Sequence, residues 1–160
     1  MSQVRDAAEP EAEAELGELL VALRGKGGRV TTARRALLGA MLERGGHCSA
    51  EELAEAVSVA HPGVRLSTVY RNLEELERLG VVVHAHLGHG AASYHLASRA
   101  HGHLVCEHCG VEIETPDELF ASLAQAAAQR WGFRVNPWHS AVSGTCADCL
   151  ASDRAREIRP

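Results

Sequence analysis

The stretch Ser67-Thr68-Val69-Tyr70-Arg71-Asn72-Leu73-Glu74-Glu75-Leu76-Glu77-Arg78-Leu79-Gly80-Val81-Val82-Val83 changes its apolar period part way along. Val69, Leu73 and Leu76 recur at the spacing of one helix face, Gly80 is a helix terminator, and the valines that follow have strand character. Ser67 is placed to cap this helix, which the spacing carries to about Leu79. Its solvent face carries Ser67, Thr68, Tyr70, Arg71 and Asn72, side chains that are short, polar or cationic. Such a face suits a duplex groove. Arg pairs with guanine edges or phosphate, Asn pairs with adenine, and Tyr packs on a thymine methyl while its hydroxyl reaches a phosphate.

Upstream, Leu16, Leu19, Leu20 and Leu23 form a helical stripe that ends in Gly25-Lys26-Gly27-Gly28. A second helix is expected from Thr31 or Thr32, with Ala36, Leu37, Ala40 and Met41 inward, stopping at Gly45-Gly46. Ser49 and Glu52 form a capping box for a third, which buries Leu53, Ala56 and Val57 and closes at His61-Pro62-Gly63. Downstream, residues 81–83 and 92–96 read as two short strands around the turn Leu87-Gly88-His89-Gly90. Helices followed by a β-hairpin is the order of a winged helix, whose last helix enters the major groove. A plain helical bundle with a polar surface is the alternative.

From about residue 100 the pattern changes. Residues 104–106 and 111–114 read as strands around a CxxC turn, 116–131 as a helix capped by Thr115, and 141–143 as a last strand before a second CxxC. The helix is expected to bury Leu119, Phe120, Leu123 and Ala127. One small sheet cannot cover both of its faces, so the unit is expected to complete its core in a two-fold homodimer. The fold class is therefore α+β. Residues 1–15 read as a disordered acidic tail, 16–97 as the winged-helix DNA-binding domain, 98–150 as an α/β dimerisation domain with a four-cysteine zinc site, and 151–160 as a flexible tail.

The 160 residues are 46% hydrophobic and 23% charged, enough for one core or two small ones. No apolar run is long enough to span a membrane and the acidic N-terminus does not read as a signal peptide, so a cytoplasmic location is expected. With 4% aromatic residues, large aromatic stacking platforms for single-stranded nucleic acid are not expected. The net charge of -5 does not favour DNA, but the charge is segregated. Residues 1–20 hold Asp6, Glu9, Glu11, Glu13, Glu15 and Glu18 against Arg5, whereas residues 21–44 hold Arg24, Lys26, Arg29, Arg34, Arg35 and Arg44 against Glu43. Local field rather than total charge decides where a phosphate backbone settles. A solvated helix face is the other reading of this basic run.

Four of the five cysteines form two chelating turns, Cys106-Glu107-His108-Cys109 and Cys146-Ala147-Asp148-Cys149. Four thiolates close a tetrahedral zinc shell with no open position for catalysis, so the site is read as structural. A pair of disulfides is the alternative, disfavoured in a reducing compartment. Cys48 reads as a small buried residue, and His108 as a bystander inside its turn.

Seven of the ten histidines, His84, His86, His89, His95, His101, His103 and His108, fall within residues 84–108. On a strand, residues i and i+2 face the same way, so His84 with His86 and His101 with His103 each make a two-imidazole claw. Imidazole clusters suit Zn, Ni, Cu or Fe rather than Mg or Ca. His61 and His89 read as turn and surface residues.

The strings Ser67 to Leu73, His101-Gly102-His103-Leu104-Val105-Cys106-Glu107-His108-Cys109-Gly110 and Cys146 to Cys149 together resemble the ferric uptake regulator family of metal-dependent repressors, over about residues 24–149. The resemblance implies a homodimer on palindromic operator DNA, with Tyr70 and Arg71 reading bases and Arg29 and Arg34 holding the backbone. It implies that the four cysteines hold structural Zn(II). It further implies a hinge regulatory site of His47, His95, His101 and His103. The segment His84-Ala85-His86-Leu87-Gly88-His89-Gly90, with His139, resembles the nickel uptake regulator subgroup, which implies a Ni(II) site of His84, His86 and His139, with Zn(II) or Fe(II) as the alternative metals. Ala100 and Gly102 depart from the longer histidine run of many members.

Other classes fit less well. A zinc hydrolase needs an acid or base beside its histidines, and no HExxH or comparable pairing is present. A metal-buffering protein has no use for a Ser-Thr-Val-Tyr-Arg-Asn helix. The chain is therefore read as a regulator and not an enzyme, with no membrane or small-molecule partner.

Overall fold

The computed structural model describes residues 8–45, 47–86, 91–136 and 141–157. The chain divides into two compact units, Met1–His84 with Ser93–Arg99, and Ala85–Ala92 with Ala100–Pro160. No described helix is long and apolar enough to cross a membrane.

The first unit runs α1 (Ala8–Gly25), α2 (Thr32–Arg44), α3 (Ala50–Ala60) and α4 (Leu66–Arg78), then the paired strands β1 (Val82–Ala85) and β2 (Ser93–Leu96). Its core is almost wholly aliphatic: Leu20 and Leu23 from α1, Leu37, Leu38 and Met41 from α2, Leu53 and Val57 from α3, and Val69, Leu73 and Leu76 from α4. Each set recurs at the helical period, so the apolar stripes that shape the helices also bring them together. The segment after α1 passes so close to this core that a Cβ on Gly28 would lie 2.3 Å from Leu23 Cδ1 and 2.8 Å from Leu79 Cδ1.

Local capping sets the helix ends. Thr31 Oγ1 accepts from the Arg34 amide, and Gly45 closes α2 at φ 65°, where a side chain would be strained. At α3 the capping box is complete: Glu52 N donates to Ser49 Oγ at 3.1 Å and Ser49 N donates to Glu52 Oε2 at 2.7 Å. Ser49→Ala is expected to cost about 1 kcal/mol by urea unfolding. The Ser49 backbone amide, followed by the Ser49 side chain, holds the Glu52 carboxyl below its ordinary value. The carboxylate's share of the cap is thus fully present above the ordinary carboxylate range and lost as pH falls through the lowered value.

Two expectations are corrected here. α4 starts at Leu66 with Arg65 as its cap, not Ser67, because the Thr68 and Val69 amides close the first turn on the Arg65 carbonyl at 2.8 and 3.1 Å. The acidic stretch from Ala8 is helical rather than a disordered tail. Glu15 pairs with Arg99 at 2.6 Å, Glu13 pairs with Arg35, and Leu16 is buried, so contacts from elsewhere in the unit hold this segment as the first turns of α1.

The second unit is built on β3 (Gly102–Cys106), flanked by β4 (Glu112–Thr115) and β5 (Val142–Gly144), with α5 (Asp117–Trp131) and α6 (Ala147–Glu157). β4 runs antiparallel to β3, pairing Gly102 with Thr115 and Val105 with Glu112; β5 runs parallel to it, pairing Leu104 with Val142 and Cys106 with Gly144. α5 meets β3 where Phe120 lies over Gly102, so closely that a Cβ there would sit 2.1 Å from ring carbons and 2.7 Å from Thr115 Oγ1. Phe120 thus occupies the space a side chain at 102 would need.

Three further expectations change in this unit. Thr115 ends β4 as a buried residue, and Pro116 takes the cap position of α5. Phe120 and Ala127 are buried, but Leu119 and Leu123 are 51% and 49% exposed, because the sheet is too small to reach the flank of α5 they occupy. The segment from residue 151 continues α6 to Glu157 rather than forming a tail, because the intrahelical hydrogen bonds run on through it.

Candidate functional site

The parallel pairing of β3 and β5 brings the two CxxC turns to the same end of the sheet. Cys106 ends β3, and Cys146 follows β5 by two residues. Cys106 Sγ lies 3.8 Å from Cys149 Sγ, and Cys109 Sγ lies 3.7 Å from Cys146 Sγ. Every pair among the four sulfurs is within 4.8 Å. A tetrahedral zinc with bonds of about 2.3 Å requires sulfurs about 3.8 Å apart, whereas a disulfide requires about 2.0 Å. The donor set therefore fits a zinc ion and not two disulfides.

Electrostatics within the cluster are uneven. The Cys146 amide, 3.3 Å from Cys106 Sγ, is the largest influence lowering that thiol to about 6, with the Cys109 amide next. Cys149 is pushed upward, first by its hydrogen bond with Cys146, and Cys109 is raised as well. Four sulfurs this close cannot all ionise without a cation between them. His108 is exposed in its turn and outside the four-sulfur set, while Cys48 is buried and pairs its backbone with Tyr94 at 3.0 and 2.8 Å.

In the first unit His47 and His95 face each other, Nδ1 to Nδ1 at 3.1 Å with ring centroids 4.8 Å apart, and His95 is buried. In the second unit the rings of His101 and His103 stand 4.6 Å apart, edge to face, with His103 buried. Two imidazole pairs are thus formed, each offering nitrogen donors of the kind borderline metals favour. His84 lies on β1 with Nδ1 2.6 Å from Glu77 Oε1, and His86 is exposed just beyond it. His139 and His89 lie outside the described residues.

Two carboxylates escape the sequence reading. Glu114 Oε1 is 3.4 Å from His101 Nε2, and Glu77 meets His84. The antiparallel register that opposes Glu114 to His103 would have signalled the first; nothing in spacing signals the second.

On α4, Ser67, Tyr70 and Arg71 are exposed, and Thr68 is half-buried. Tyr70 Oη donates to Glu51 Oε1 at 2.8 Å, which raises the phenol's pKa, and Arg71 Nε donates to the Ser67 carbonyl at 3.3 Å. Asn72 is engaged through both ends of its amide: Nδ2 donates to the Thr68 carbonyl at 2.7 Å and Oδ1 accepts from Arg34 Nε at 3.1 Å. Arg34 Nη1 also donates to the Arg29 carbonyl at 2.9 Å, so Arg34 and Asn72 tie α2 to α4, while Arg29 itself is exposed. The basic run is partly structural as well, since Lys26 Nζ caps the Gly80 carbonyl at 2.7 Å and Arg35 pairs with Glu13.

Comparison with known proteins bears on this arrangement. The peroxide-responsive repressor PerR of Staphylococcus saprophyticus is 27% identical over 137 residues, covering 86% of this chain and 93% of that protein. The structure of the ferric uptake regulator from Pseudomonas aeruginosa with manganese is 32% identical, covers 78% of this chain and 95% of its own, and superposes with a TM-score of 0.63. A zinc uptake regulator complexed with zinc and DNA shares the fold at 24% identity, covering 89% of this chain and 97% of its own, with a TM-score of 0.61. The model of the ferric uptake regulator family matches residues 25–140, a span that holds α2 to α5, the imidazole pairs and the first CxxC turn; the chain belongs to that family of metal-responsive regulators.

Proposed function

We propose that the protein is a metal-dependent transcriptional repressor that binds palindromic operator DNA as a homodimer, with Ni(II) as its regulatory metal. The observation that carries the DNA-binding reading is the exposed edge of α4, where Ser67, Tyr70 and Arg71 stand clear of a helix braced from behind by the Arg34–Asn72 bond. Tyr70 and Arg71 would read bases, Thr68 would support them, and Arg29 would meet the phosphate backbone. Arg34 and Asn72 would act chiefly by fixing the angle of α4.

The dimer reading is supported by Ile113, Leu119, Leu123 and Val142, all 45–51% exposed in the second unit. Aliphatic surface of this kind is more favourably covered by a second copy than by water. Nickel is supported by the donor set: His84, His86 and His139 would supply three neutral imidazoles and leave positions for water, which suits six-coordinate Ni(II). His47, His95, His101 and His103 would form a second regulatory site. Metal acts on DNA affinity only by preferring the DNA-competent conformation, and each tenfold preference is worth about 1.4 kcal/mol.

The test is operator binding by protein that keeps its cysteine zinc, titrated with Ni(II), Zn(II), Fe(II) and Mn(II) in metal buffers. Nickel alone is expected to restore tight binding, and His84→Ala with His86→Ala is expected to abolish the nickel response. Undiminished binding by the zinc-only protein sinks the nickel reading; restoration by zinc or iron at lower free concentration reassigns the metal.

A further inference from the structure

We infer that Glu77 is the positioning residue of the His84 site, fixing the ring so that Nε2 is the nitrogen offered to metal and tying the recognition helix to that ligand. The inference rests on reading His84 as a metal ligand. Glu77 lies in the last turn of α4, His84 lies on β1, and Glu77 Oε1 is 2.6 Å from His84 Nδ1. Their side chains are only 34% and 17% exposed, so water competes weakly for either partner.

The neighbours sharpen the geometry. Arg78, next along the helix, is committed to Glu75 through two hydrogen bonds of 2.8 and 2.9 Å. The ring of Tyr94, on the paired strand β2, lies 5.7 Å from that of His84. Because a carboxylate only accepts, the metal-binding tautomer would carry its proton on Nδ1 and present the Nε2 lone pair. A carboxylate on the far nitrogen raises the basicity of a ligating imidazole and holds its orientation.

This bond also gives the site a mechanical route to DNA. A cation on Nε2 makes the Nδ1 proton more acidic and strengthens its bond to Glu77, which sits on the same helix as Tyr70 and Arg71. By linkage, anything that fixes that end of α4 strengthens metal binding to the same degree.

The experiment uses the full chain with its cysteine zinc retained. Ni(II) dissociation constants are measured by competition with a chromophoric chelator for wild type, Glu77→Ala, Glu77→Gln and His84→Ala, and the His84 tautomer is read from long-range 15N–1H NMR without nickel. The Nδ1–H tautomer is expected in wild type. Glu77→Ala is expected to weaken nickel binding about 10- to 100-fold, and Glu77→Gln, whose amide oxygen still accepts the proton, to recover most of that loss. An Nε2–H tautomer in wild type overturns the inference, as does a Glu77→Ala constant within about twofold of wild type while His84→Ala is impaired. Loss in Glu77→Gln equal to that in Glu77→Ala makes Glu77 itself a ligand and overturns the positioning role. An unchanged constant in His84→Ala removes the His84 site, and this inference with it, while the tautomer spectrum still reports the hydrogen bond.

Discussion

Removing the cysteine-bound zinc is expected to unfold the second unit while the first keeps its helices. The four sulfurs lie within 4.8 Å of one another at the meeting point of β3, β5 and α6. Their thiols are pulled in opposite directions, Cys106 down by backbone amides and Cys149 up by its hydrogen bond with Cys146. A zinc ion resolves that conflict by taking all four as thiolates. Structural zinc contributes about 10–16 kcal/mol of apparent folding free energy at pH 7, against a typical domain stability of about 5–15 kcal/mol. Amide hydrogen exchange after chelation, or in Cys109→Ser, is the measurement. Protection should vanish across 102–157 and persist in α2 to α4; retained protection in β3 refutes a structural zinc.

The second large effect is expected at the contact of α5 with β3. Phe120 is 3% exposed and its ring lies where a side chain at 102 would stand. Phe120→Ala removes a buried ring from the contact of α5 with β3 and is expected to cost about 3–5 kcal/mol. Gly102→Ala forces a methyl group into the ring and is expected to cost about 1–3 kcal/mol or more. The two should not add. With Phe120 truncated, the added methyl finds room, so the double variant should be more stable than the sum of the single losses predicts. Urea unfolding of the zinc-loaded protein provides the cycle, and strict additivity would show that the two residues do not share the space.

Features fixed by local spacing were legible in the sequence. The capping box of α3 needs only Ser49 and Glu52 three residues apart, and each CxxC turn is defined within four residues. The apolar face of α4 was legible for the same reason, since Val69, Leu73 and Leu76 form a stripe whatever they pack against. Its first residue was not. Ser67 has the right side chain, but the turn closes on the Arg65 carbonyl, and composition does not separate the two registers.

Features decided by distant partners were hidden. Acidic residues from Ala8 onward resemble a solvated tail until Arg35 and Arg99 are placed beside Glu13 and Glu15. Periodicity marked Leu119 and Leu123 as apolar without revealing that they stay half exposed among the described residues. Within the candidate sites, the cysteine set followed from spacing, whereas Glu77 and Glu114 became visible only when strand and helix were brought together. Asn72 shows the same limit. Its place on α4 suggested a reader of bases, and its bonds to Arg34 and to the Thr68 carbonyl became visible only in the structure.

The parallel register of β3 and β5 also governs the order in which the protein can be made. Strands that run the same way cannot be joined by a tight turn, and here the connection from Cys106 to Gly144 contains β4 and the whole of α5. Contacts between segments so far apart in sequence form slowly, because the loop entropy must be overcome before they yield any stability. The second pair of thiols comes from Cys146 and Cys149, which follow all of these elements in the chain. A chain emerging from the ribosome can therefore assemble its helical first unit before Cys146 and Cys149 are made, whereas the second must wait for them and, if zinc is its structural metal, for that ion. If the four sulfurs hold structural zinc, its supply would set when a newly made molecule becomes competent to fold.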